Sequence, residues 1–173
     1  MAKKPQGKIF KRDLPVPLAE AHRVVSSRTY LCTDEDMARP EQNSTGAEIF
    51  HADYTVDDEG VTHAVVHMRS VDGPEGSEAP ETGQAVAVQP LEEDGFSMHT
   101  LVSLPHRIGN LRTVLTFEPS ATPDVVRVTA YVEADIPVKA VGKALTKKLL
   151  ASSPDSVDRG LERIVRLSAR EDL

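Results

Sequence analysis

The sequence predicts an α+β fold: one curved antiparallel sheet of six to seven strands, with two short N-terminal helices and a long C-terminal helix laid across it. Three observations carry this. Residues 125–137, VVRVTAYVEADIP, alternate with a period of two, Val126, Val128, Ala130, Val132, Ala134 and Ile136 on one face and Arg127, Thr129, Tyr131, Glu133 and Asp135 on the other. One apolar and one wet face imply antiparallel pairing. Six or seven strand-like runs succeed one another with no helix between them long enough for a parallel crossover. After Ile136 the period changes to 3.6, with Val138, Val141, Leu145 and Leu149 in one stripe.

The elements follow in order. Residues 1–7 form a basic, flexible tail ahead of a single domain spanning 8–173. KIFKRDL (8–14) is the first strand, ended by Pro15 and Pro17. Leu18, Ala21, Val24 and Val25 recur at helical spacing and predict a short helix over 17–28. A second is expected over 33–39, with Thr33 as N-cap and Asp34, Glu35 and Asp36 at its positive end. AEIFHADYTV (47–56) and VTHAVVHMRS (61–70) flank DDEG as a hairpin with a four-residue loop. Residues 71–83, rich in Gly, Pro and Glu, read as an exposed mobile loop. QAVAVQPL (84–91), FSMHTLVSLP (96–105) and LRTVLTFEP (111–119) are further strands, the last two joined by HRIGN.

In the final segment Pro137 can open a helix, because its missing N–H would be unpaired there. Lys139, Lys143 and Lys147 form a separate face, and Val157, Leu161, Ile164 and Ser168 extend the apolar stripe. SSPD (152–155) leaves two readings open: a restart capped by Ser152 or Ser153, or one helix kinked where Pro154 meets the carbonyl of Leu150.

Composition limits the function classes. The chain of 173 residues has the size of one domain. It has four Phe, three Tyr and no Trp, so the core must rest on Val, Leu, Ala and Ile. A net charge of −7 argues against nucleic acid as a partner. Residues 41–94 hold thirteen Asp or Glu and one basic residue, Arg69, between mildly basic ends. Cys32 stands alone, which excludes an internal disulfide and fits a cytoplasmic protein. No apolar stretch follows MAKKPQGKIF, so no signal peptide is expected, and no apolar run nears the ~20 residues a membrane-spanning helix needs.

The order of strand, two short helices, antiparallel strands and long C-terminal helix resembles the helix-grip fold of the START and SRPBCC superfamily, which includes the birch-pollen allergens. VRVTAYVEADIPVKAVGKALTKKLL looks like the end of an uncharacterised bacterial branch of that superfamily, a domain of unknown function. There a strand ends in a V-x-[IV]-P-x-x-G-like turn and runs into a lid helix; the corresponding residues here are Ala134, Asp135, Ile136, Pro137 and Gly142. PVPLAEAHRVVSS matches where the family places a Pro and a helix. The resemblance covers roughly residues 8–170. It departs at the helix-1 aromatic, usually Trp, where Val24 or Val25 stands, and at Pro154. It implies an apolar cavity between helix and sheet and ligands such as lipids, sterols or polyketides. It carries over no catalytic residue.

The chain's own chemistry is sparse. It has no nucleophile elbow, no P-loop and no G-x-G-x-x-G, so no cofactor is expected. His63 and His67 share a strand face but stand about 13 Å apart. Pairing Val56 with Val61 would set Tyr54 opposite His63 and Phe50 opposite His67, with His51 on the other face, so no metal site is expected. Cys32 reads as a small core or helix-end residue. HRIGN could meet an anionic head group or be a plain hairpin turn. The basic stripe of Lys139, Lys143, Lys147, Arg159, Arg163 and Arg166 reads as a solvated face. It could otherwise meet membrane lipid, an acidic partner, or the acidic 41–94 segment of the same or a second copy.

The expected function is therefore non-catalytic binding of a hydrophobic small molecule, lipid or polyketide-like, without stable membrane insertion. The inward positions expected to line its site are Phe50, Val65, Met98, Leu115, Phe117, Val128, Val132, Val141, Gly142, Leu145 and Leu149. Two alternatives stay open. One is an interaction or homodimerisation module that binds no ligand. The other is a cyclase- or hydrolase-like enzyme using His63, His67, His99 and Tyr54.

Overall fold

The computed structural model describes residues 6–32, 47–70 and 81–173. Its elements are β1 (Gln6–Leu14), α1 (Leu18–Val25), α2 (Arg28–Cys32), β2 (Ala47–Val56), β3 (Thr62–Ser70), β4 (Glu81–Val88), β5 (Phe96–Ser103), β6 (Asn110–Pro119), β7 (Val126–Asp135) and α3 (Gly142–Ser168). The seven strands form one antiparallel sheet in the order β1-β7-β6-β5-β4-β3-β2. The C-terminal strand β7 lies beside β1, so the chain closes its sheet order from both ends. The curved α+β sheet with a long C-terminal helix is as the sequence predicts.

Residues directly opposite on neighbouring antiparallel strands share a face. Val126, Val128, Ala130, Val132 and Ala134 of β7 are all buried. Leu115 and Phe117 of β6 stand opposite Ala130 and Val128 on that same face. The α3 residues Val157, Leu161, Ile164 and Leu167 bury against it together with Val24 and Val25 of α1 and Leu31 of α2. Arg12, on the inner face of edge strand β1, bonds Asp158 of α3 at 2.7 Å. This face is therefore the inner one, under the helix.

Local boundaries follow local chemistry. The first helix ends at Val25, and Ser27 begins α2 by accepting the Tyr30 N–H at 3.2 Å. The second short helix is thus Arg28–Cys32; the 33–39 segment lies outside the described residues, as does 71–80 of the acidic loop. Glu81–Gly83, read as loop, belong to β4. Gln6 and Gly7, read as tail, pair with Ala134 and Glu133 as part of β1.

The start of α3 also differs. Pro137 does not open the helix: a turn follows it, and helical bonding starts with Gly142 N–H to the Val138 carbonyl at 2.8 Å. A Cβ on Gly142 would stand 2.5 Å from the Ile136 carbonyl oxygen, so glycine is what lets the helix start this close to the end of β7. The helix then runs through Pro154 as one element of 27 residues. Pro154 cannot donate to the Leu150 carbonyl, and the Ser153 hydroxyl does so instead at 2.8 Å.

Candidate functional site

The inner face of the sheet is not uniform along its strands. At the end sealed by α1 and α2, Thr62, Ala64 and Val66 of β3, Val86 and Val88 of β4, Phe96 and Met98 of β5, and Leu115 and Phe117 of β6 are buried. Phe96 stacks on Phe117 with ring centroids 4.4 Å apart, and His22 of α1 meets Phe96 edge-on at 4.8 Å. Halfway along the same strands the inner face becomes partly solvent-accessible: Met68, Gln84, Thr82, Thr100, Val102, Thr113 and Leu111 are all only half-buried. The register places these in adjacent rows, Gln84 beside Val102 and Val102 beside Leu111, Thr100 beside Thr113. On the N-terminal half of α3, Leu145 and Leu149 are also half-buried, and Thr146 is buried.

A sheet-and-helix core filled with side chains would bury these central inner-face positions on every strand. Here β7 is buried along its whole length while β4 to β6 are buried along only half, and β3 is buried at Thr62, Ala64 and Val66 but not at Met68. The open half is lined by aliphatic side chains mixed with hydroxyl and amide groups; the sealed half is aliphatic and aromatic apart from Thr62 and Met98.

The expected lining residues divide accordingly. Met98, Leu115, Phe117, Val128 and Val132 are buried on the inner face. Leu145 and Leu149 stand on α3 at half-buried positions. Gly142 packs closely against Ile136 and leaves no opening there. Val65, Phe50 and Val141 do not point inward: they are 37%, 41% and 52% exposed. The physical reason for Val65 is one residue of loop. Asp57 N–H bonds the Val61 carbonyl at 3.0 Å, and Asp57 Oδ1 accepts from the N–H groups of Glu59 and Val61. The turn thus occupies 57–61, and Val56 pairs with Thr62. A one-residue slip moves a strand's side chains to the opposite face, so Ala64 and Val66 point in and His63, Val65 and His67 point out. Phe50 is the extra residue of a bulge between Ile49 and His51, and its ring carries the Arg69 guanidinium at 4.3 Å.

Sequence reasoning missed Thr100, Val102, Leu111 and Thr113. The signal was present, since each lies two or four residues from Met98 or Leu115 on the same face.

Few ionisable groups reach the interior. Tyr54 faces inward and its hydroxyl donates to the Ser26 carbonyl at 2.6 Å, with burial raising its pKa. The register sets it opposite Ala64, not His63. His63 bonds Asp57 at 2.8 Å, which lowers the Asp57 pKa, and His99 bonds Ser97 at 3.0 Å. Both histidines belong to the outer face. Of the basic stripe, Arg163 is not a solvated residue: it donates to the Tyr30 and Thr29 carbonyls at 3.0 and 2.8 Å, closing the C-terminal end of α2. Lys139, Lys143, Lys147, Arg159 and Arg166 are exposed. HRIGN forms a 3₁₀ turn at Pro105–Arg107. A Cβ on Gly109 would lie 2.2 Å from the Asp135 carbonyl oxygen, so the turn is packed against the end of β7. Among the described residues no helix is long and apolar enough to cross a membrane, and no three His, Cys, Asp or Glu side chains are grouped to hold a metal ion.

No protein-family model and no curated protein matches the chain. Solved structures do. A START superfamily protein from Mycobacterium smegmatis superposes with a TM-score of 0.56 at 14% identity, over 93% of this chain and 98% of that one. Truncated norcoclaurine synthase from Thalictrum flavum gives 0.58 at 11% identity, over 100% and 98%. Human STARD10 gives 0.56 at 11% identity, over 96% of this chain and 66% of that one. At these identities the likeness is one of fold, and the fold is the helix grip.

Proposed function

We propose that this helix-grip chain binds a hydrophobic or amphiphilic small molecule, without transforming it, between the open half of the sheet's inner face and the N-terminal half of α3. The observation that carries the reading is the change from buried to half-buried inner-face side chains midway along three neighbouring strands, β4 to β6. Apolar surface held partly open in a folded protein favours an apolar guest, and scattered polar groups orient it. The aliphatic side chains of the open half, Val102, Leu111, Leu145 and Leu149, would take the apolar part; Gln84, Thr100 and Thr113 would meet a polar end. START-like neighbours are in keeping with a ligand-binding fold. The enzymatic alternative loses its histidines, because His63, His67 and His99 belong to the outer face.

The test is native mass spectrometry of freshly purified protein, followed by solvent extraction and titration with a long-chain fatty acid. A co-purified adduct, or saturable uptake of the fatty acid that is lost in Val102→Glu, is the expected result. An adduct-free chain that takes up neither the fatty acid nor a fluorescent apolar probe would refute the reading.

A further inference from the structure

The five-residue turn that reverses β3 also changes the neighbours of its histidines. His51 of β2 stands directly opposite His67 of β3, both on the outer face and both exposed. Their ring centroids are 5.5 Å apart. Two imidazoles that each give one nitrogen to a tetrahedral ion at about 2.0–2.1 Å have centroids roughly 5 Å apart. The pair thus already stands at nearly the separation that a shared ion requires. His51 Nε2 lies 2.7 Å from Asp53 Oδ2, two residues along the same face. With Nε2–H donating to that carboxylate, Nδ1 is the nitrogen that carries a lone pair. A carboxylate holding the second nitrogen of a ligating histidine is the usual outer-shell arrangement at metal sites. On the other side of His67, β4 presents Gly83, which leaves the ring clear: even an added Cβ there would come only within 3.7 Å of His67 Nδ1.

We propose that His51 and His67 form a two-imidazole site for a late first-row divalent ion such as Zn2+, with Asp53 orienting His51 and water completing the shell. Imidazole nitrogen selects such ions over Mg2+ or Ca2+, which prefer oxygen. The ion would clip edge strand β2 to β3. This site is on the outer face and is independent of the inner-face ligand.

The test is calorimetric titration of the full chain with Zn2+ near neutral pH, with Mg2+ as the comparison ion. Thermal midpoints measured with and without Zn2+ accompany it. One Zn2+ per chain is expected, with no Mg2+ binding and a rise in midpoint on adding Zn2+. His51→Ala and His67→Ala should each weaken Zn2+ binding by at least about tenfold, and Asp53→Asn by about tenfold or more. His63→Ala should leave it unchanged, and circular dichroism of the metal-free variants checks that each is folded. Should His67→Ala misfold, His67→Gln takes its place with the same expected loss. Absence of saturable Zn2+ binding by the wild type overturns the proposal. So does binding that survives in His51→Ala and His67→Ala, or that is lost equally in His63→Ala.

Discussion

Tyr30 fixes α2 to α3 from both ends of its side chain. Its ring lies under the Arg163 guanidinium at 5.0 Å, and its hydroxyl is 3.5 Å from the Gly160 carbonyl. Burial pushes its pKa up from 10.0 to about 12, against the opposing pull of Arg163. The folded-state value lies above the unfolded one, so the neutral phenol's contribution is fully present below pH 10. It is lost as pH rises toward 12, where the unfolded chain ionises first. The loss amounts to about 3 kcal/mol. Urea unfolding from pH 9 to 12 should show this fall in the wild type, and a correspondingly smaller one in Tyr30→Phe. Equal falls in both would refute it. Nothing in the sequence singles out Tyr30, because the groups that bury it lie about 130 positions further along the chain. Cys32 was legible for the opposite reason: a lone small thiol after Tyr and Leu at a helix end needs no distant partner to be read as core.

At the scale of the element, α3 tests two local substitutions for regular helix chemistry. The Ser153 hydroxyl takes the place of the N–H that Pro154 lacks. Ser153→Ala should therefore cost about 1 kcal/mol in wild-type background, since the Leu150 carbonyl loses its donor. In a Pro154→Ala background residue 154 regains an N–H, and the same substitution should cost close to nothing. A double-mutant cycle by chemical denaturation reads the difference. Additivity would mean that the hydroxyl is not the substitute donor. The second test is Gly142→Ala. In an open helix this replacement gains about 1 kcal/mol, but here the new methyl meets the Ile136 carbonyl at 2.5 Å. The sign should therefore reverse, with a loss of about 1–3 kcal/mol from overpacking. A stabilised variant would show that the β7–α3 junction can move apart. The switch of period after Ile136 was enough to predict the helix. Its first residue was not legible, because the close approach of Gly142 to Ile136 depends on tertiary packing and Pro137 offered a local start that the fold does not use.

At the scale of the whole molecule, antiparallel order and the covering helix were legible because alternation and the period change are long and unbroken in 125–150. Face assignment failed on β3, where it rested on the length of one turn, and at Phe50 of β2, the extra residue of a bulge; Asp57 accepting two backbone N–H groups added the turn residue that the alternation alone does not show. That extra residue turns Val65 outward and sets His51 beside His67. The division of the inner face into a sealed and an open half has no local signal at all, because it depends on which strands α1, α2 and α3 cover. It does have a measurable consequence. In the sealed half, Phe117→Ala removes a fully buried ring from a stacked pair and should cost about 3–5 kcal/mol, with ligand binding impaired only as the fold is lost. In the open half, Leu111→Ala removes a side chain that water already reaches in part and should cost less than about 1.5 kcal/mol. Its effect should fall on the fatty-acid complex, through faster release with the apparent unfolding midpoint of the free protein nearly unchanged. Parallel denaturation and ligand-dissociation measurements on the two variants separate the halves. A Leu111→Ala variant as unstable as Phe117→Ala would mean that the inner face is one continuous packed core, and the proposed binding space would have to be abandoned.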